Sequence, residues 1–93
     1  MKVIIMVAYN AVLVEIYPDD PDVNLENVLE TIKERLPSDI ELKDYKIEPL
    51  AFGINKLVAI FIIPEEEGKV KQLEDLFASI EGVSMEIQSI TRI

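Results

Sequence analysis

Glu48-Pro49-Leu50-Ala51-Phe52-Gly53-Ile54-Asn55-Lys56-Leu57 is the stretch from which the fold is read. Pro49 biases Glu48 towards extended backbone, and Gly53 supplies a position where positive φ costs little. A Pro-initiated hinge between two strands is therefore predicted from Pro49 to Lys56, with Phe52 at its tip. Two readings of Phe52 are open. It folds back as a lid on the core, in keeping with the usual burial of aromatics, or it projects as an anchor for a partner's pocket.

Downstream of the hinge, Leu57-Val58-Ala59-Ile60-Phe61-Ile62-Ile63 is apolar at both parities, which suits a central strand closed by Pro64. Upstream, Ile40 to Glu48 alternates with charges throughout and changes parity near Lys43-Asp44. This predicts an edge strand with a bulge.

Farther upstream, Val3 to Tyr17 is rich in β-branched residues and reads as a first strand, ended by the solvated Pro18-Asp19-Asp20-Pro21-Asp22. Leu25, Val28, Leu29, Ile32 and Leu36 make one apolar helical stripe, with Asn24 placed as its N-cap. Asp20-x-Asp22-x-Asn24 imitates the start of a calcium loop, but Leu25 stands where that loop needs Gly and Thr31 where it needs Glu.

On the other side, Glu65-Glu66-Glu67-Gly68 is a loop. Val70, Leu73, Leu76, Phe77 and Ile80 recur at helical spacing, and Gly82 is expected as the C′ residue of that helix. From Val83 a last strand alternates Met85 and Ile87 with polar neighbours and reaches Ile93 after another parity break. The order β-α-β, β-α-β predicts an α+β ferredoxin-like split sandwich. Its four-stranded antiparallel sheet has the first and third strands central and both helices on one face.

Composition bounds the function. The chain has 93 residues, enough for one domain over residues 1–93, and a net charge of −9 from 18 acidic and 9 basic residues. Such a surface repels phosphate backbones, so no direct nucleic-acid partner is expected. No apolar run approaches the roughly 18 to 20 residues that cross a bilayer, so the expectation is a cytoplasmic protein without a membrane partner. With no Cys and no His, thiol and imidazole chemistry and the commonest zinc ligands are absent. No nucleotide-binding or hydrolase motif is present, so neither an enzyme nor a cofactor is predicted. A small-ligand-binding regulatory domain of the same fold is the alternative, to be recognised by a ligand-dependent rise in melting temperature without a protein partner.

What remains is a protein surface with two candidates, Phe52 and Arg92. Arg92 is the last basic residue after Lys71, one position from the C-terminus. It is either a terminal charge lying over the last strand or a second contact. Because the third and fourth strands both flank the first, the end of the fourth strand is expected to approach the hinge, bringing both candidates to one side.

The hinge read with Glu81-Gly82-Val83-Ser84, Ile90-Thr91-Arg92-Ile93 and the early Pro21-Asp22-Val23-Asn24-Leu25 closely resembles the guanine-nucleotide exchange domain of the elongation factor 1-beta family, in its short archaeal form. The resemblance covers roughly Met6 to Ile93. Met1 to Ile5 extend beyond the usual archaeal start, with Met6 as an alternative initiator. The resemblance implies the fold argued above and a factor that releases GDP from elongation factor 1-alpha without bond chemistry of its own. It implies that Phe52, with Pro49, Ala51 and Gly53 around it and Ile93 at the other candidate, binds the GTPase. It also implies that Arg92 takes the catalytic, penultimate basic position directed at the magnesium and phosphate site, where the family residue is usually Lys.

Overall fold

The computed structural model describes residues 8–51 and 53–93. Its elements are β1 (Tyr9–Pro18), α1 (Leu25–Arg35), β2 (Glu41–Ala51), β3 (Ile54–Pro64), α2 (Lys69–Ala78) and β4 (Val83–Arg92). Phe52 and the part of the expected first strand from Val3 to Val7 lie outside the described residues.

The strands form one sheet in the order β2-β3-β1-β4, every neighbouring pair antiparallel. The central positions of β1 and β3 follow from their apolar content. Val12, Val14 and Ile16 of β1 and Leu57, Ala59, Phe61 and Ile63 of β3 point to one face and are buried. Against them pack Leu25, Val28, Leu29 and Ile32 of α1 and Leu73, Leu76 and Phe77 of α2. The rings of Phe61 and Phe77 meet edge to face at 5.7 Å and 77°, which joins sheet to helix at the middle of the core. The other parity of β3, Val58, Ile60 and Ile62, lies on the open face with Leu13 and is half-buried. The double-parity run thus serves a core on one side and a bare sheet surface on the other.

Local chemistry sets the helix ends. Asn24 is extended, at φ −90° and ψ 110°, and its Oδ1 accepts hydrogen bonds from the amides of Glu26 (2.9 Å) and Asn27 (3.3 Å). Two amides that the first turn leaves without carbonyl partners are thereby satisfied. The second helix ends earlier than expected. Ser79 is its C-cap: the Ser79 amide donates to the carbonyls of Asp75 and Leu76, and its Oγ donates to Leu76 at 2.6 Å. Gly82 is consequently not the C′ residue. It turns the chain into β4 at φ +86°, and its carbonyl accepts from the Asp19 amide at 2.8 Å.

The expected bulge in β2 is present between Leu42 and Asp44, and the parity break expected in the last strand corresponds to a register shift where β4 faces Leu13 and Val14. The second strand runs farther than expected, however. Glu48 pairs with Lys56, Pro49 with Asn55 and Ala51 with Ile54, so Pro49 lies inside the ladder, which ends at the Ala51–Ile54 pair. A proline is tolerated there because β2 is an edge strand, whose outward amides have no partner to lose.

Candidate functional site

The hinge end is built by the β2–β3 hairpin. Gly53 takes φ +78°, the conformation that glycine adopts without a Cβ penalty, and a Cβ built there meets no atom within 4 Å. Space is therefore open beside Gly53 among the described residues. Around it Pro49, Ala51 and Gly53 are exposed, and Leu50 is exposed to 43 %. Beneath the turn, a cavity of about 300 Å³ opens between Pro18, Pro21 and Val23 on one side and Ile47 and Ile54 on the other.

The base of the hairpin is tied to β1 by charge. Lys56 Nζ lies 3.0 Å from both carboxylate oxygens of Glu15, and the Tyr17 hydroxyl donates to Glu15 Oε2 at 2.7 Å. The carboxylate therefore has a phenol and an ammonium as donors, and both hold its pKa below the ordinary value, the phenol more strongly. The same hydrogen bond, with partial burial and the charges of Glu15 and Glu86, pushes the Tyr17 phenol up to about 12. This network fixes the root of the hinge two residues into β3.

Arg92 and Ile93 form the other end. Arg92 pairs in register with Asn10, and the Ile93 amide donates to the Tyr9 carbonyl at 3.0 Å. Across β1, the Glu65 amide donates to the Ala8 carbonyl at 2.7 Å. The Arg92 guanidinium Nε lies 2.9 Å from Glu65 Oε2, while the Arg92 side chain remains 71 % exposed. Ile93, at 64 % exposure, borders an open groove with Tyr9, Ile62 and Pro64.

The two ends do not converge. Since β1 is antiparallel to both β3 and β4, those two strands run in the same direction, and the end of β4 lies beside the end of β3, whereas the hinge is at its start. Arg92 is thus level with Ile63 through Asn10, and the hinge is separated from it by the 11-residue length of β3, about 33 Å at an extended rise. The expectation of one shared side is overturned because sharing a neighbour does not mean sharing an end.

These partners carry no local signal in the sequence: Glu65 is one of three consecutive loop acids, and nothing in Glu15, Tyr17 or Lys56 alone announces their network. The parity of β1 and β3 would place Glu15 and Lys56 on the same face, but only the register brings them into contact. Among the described residues, no helix is long and apolar enough to cross a membrane, and no group of three or more carboxylates is placed to hold a metal ion.

Comparison with known proteins points to one family. Residues 11–93 match the family model described as the EF-1 guanine nucleotide exchange domain. The chain is 44 % identical over 84 residues to the elongation factor 1-beta of Hyperthermus butylicus, covering 88 % of this chain and 91 % of that protein. It is 44 % identical over 91 residues to that of Ignicoccus hospitalis, covering 94 % and 97 %. For Staphylothermus marinus the identity is 40 % over 84 residues, covering 88 % and 93 %.

Proposed function

The chain belongs to the EF-1 guanine nucleotide exchange domain family, and on that premise we propose that residues 1–93 act as a single exchange domain that promotes GDP release from the GTPase elongation factor 1-alpha. The family match over residues 11–93 carries this reading. The acidic surface, with its net charge of −9, favours a protein over a nucleic acid as partner.

Exchange requires no bond to be made or broken in the nucleotide, only a weaker hold on it. In this reading Arg92, backed by Ile93, is the group directed at the magnesium and phosphate site. Positive charge there competes with the ion that bridges phosphate to protein, and phosphate affinity falls. The planar fork of an arginine also suits carboxylates of a metal site, which it engages bidentately. Phe52 is the hinge anchor, aimed by Pro49, Ala51 and Gly53. The exposure of Ala51 and Gly53 on either side of it supports the anchor over the lid. With about 33 Å of β3 between the two ends, each engages its own place on the GTPase. Because coupling is reciprocal, a factor that loosens nucleotide is loosened by nucleotide in the same ratio, and the ternary complex is transient.

The test is release of fluorescent GDP from the matching elongation factor 1-alpha. Acceleration is expected, and none at saturating factor refutes the reading. Phe52→Ala is expected to raise the half-saturating factor concentration about tenfold or more with an unchanged melting temperature; a large fall in melting temperature restores the lid. Arg92→Ala is expected to slow release at saturation while binding is kept, and an unchanged rate makes the terminal charge incidental.

A further inference from the structure

We propose that Glu65 is the counter-ion that Arg92 exchanges for an anionic group of the GTPase–nucleotide site on docking, so that Glu65 restrains the cation in the free protein. This rests on the reading of Arg92 given above.

The pair is a product of the fold. Glu65 extends the β3 ladder past Pro64 through its amide to Ala8, and Ile93 extends the β4 ladder through its amide to Tyr9. The two backbones are clamped to consecutive residues, Ala8 just before β1 and Tyr9 at its start, one on each side of it. Carboxylate and guanidinium therefore meet across the end of β1, at 2.9 Å, although 27 positions separate them in the chain.

The neighbouring acid is differently engaged. Glu66 faces Lys69 at 3.8 Å, and Lys69 is also paired with Asp39. Glu65 is thus the loop acid matched to Arg92.

The closest approach is to Nε, at the root of the guanidinium. One carboxylate oxygen there does not use up a group with five N–H donors, so the outer fork is left for a second, anionic acceptor. The exposure of both partners, 71 % for Arg92 and 42 % for Glu65, bounds the strength of the hold. Pairs of this kind cost at most about fivefold in an equilibrium to break. That suffices to hold the side chain against the sheet end, and it is small enough for a phosphate or a metal-site carboxylate in a water-poor interface to displace.

The experiment measures release of fluorescent GDP from elongation factor 1-alpha as a function of factor concentration, with Glu65→Gln, Glu66→Gln, Arg92→Ala and the Arg92→Ala/Glu65→Gln double variant. Glu65→Gln is expected to lower the half-saturating concentration about two- to fivefold, an effect that shrinks as salt is raised. Glu66→Gln removes the same charge one residue away and should follow the wild type. The double variant should match Arg92→Ala alone. A Glu65→Gln variant no better than wild type, beside a slow Arg92→Ala, overturns the role of Glu65 and leaves that of Arg92. A gain that persists in the double variant, or appears equally in Glu66→Gln, assigns the effect to net charge and overturns the proposal. If Arg92→Ala releases GDP as fast as wild type, the reading of Arg92 itself falls, and this proposal with it.

Discussion

On the open face the Glu15 carboxylate joins the phenol of Tyr17 to the ammonium of Lys56 and so fastens β1 to the start of β3. Both shifted groups give a stability that depends on pH, with opposite signs. The folded Glu15 pKa is lowered from 4.5, so its contribution is present above that value and lost as pH falls below it. The folded Tyr17 pKa is raised from 10.0 to about 12, so its contribution is present below pH 10 and lost as pH rises through that interval. Tyr17→Phe removes the hydrogen bond that is the first cause of both shifts. Its melting temperature is therefore expected to fall short of wild type by a constant margin between about pH 5 and pH 10, narrowing on the acid side and again above pH 10. Thermal unfolding across that range checks this, and an alkaline absorbance titration should lose its phenolate step near pH 12 in the variant. A margin that does not change with pH shows that the hydroxyl contributes packing alone.

The β2–β3 hairpin shows at the scale of elements why a substitution at its turn separates backbone from packing. Gly53 is at φ +78° with no atom within 4 Å of an added Cβ, so any side chain there meets strain but no clash. Gly53→Ala is expected to cost about 1 kcal/mol, or roughly 4 to 8 °C in a domain of this size. Gly53→Asn should cost less, since asparagine tolerates the left-handed region; equal losses in thermal unfolding contradict the strain account. Gly53 was legible in the sequence because a positive-φ position is a local demand, as was the Asn24 cap, whose donors lie two and three residues away. The α1 stripe and the bulge at Lys43 follow from periodicity in the same way. Pro49 reads as the start of the turn because it lacks the amide that a ladder uses, but on the edge strand β2 that loss is tolerated and pairing continues past it to Ala51. Gly82 was misread as a helix cap because Ser79 satisfies the last carbonyls three residues earlier. Glu65 and Arg92 were unreadable as a pair, since alternation predicts faces and only register predicts which ends meet.

On the scale of the whole molecule, the antiparallel register makes β3 a spacer between the hinge and the C-terminal cation. Its length of about 33 Å exceeds the 7 to 10 Å beyond which substitutions without shared partners act independently. Arg92 is paired with Glu65, whereas the hinge is braced through Lys56 and Glu15, so among the described residues the two ends share no ion pair. If Phe52 acts on binding and Arg92 on the nucleotide site, the Phe52→Ala/Arg92→Ala double variant should combine both defects. Its loss in kcat/KM for GDP release is expected to equal the product of the single losses to within about twofold, the first appearing in the half-saturating concentration and the second in the saturated rate. Titration of factor against elongation factor 1-alpha loaded with fluorescent GDP measures both quantities in one series. A double variant no worse than the poorer single variant means that both residues serve the same step on the GTPase, and the two-ended mode of docking is then wrong even if exchange activity is present.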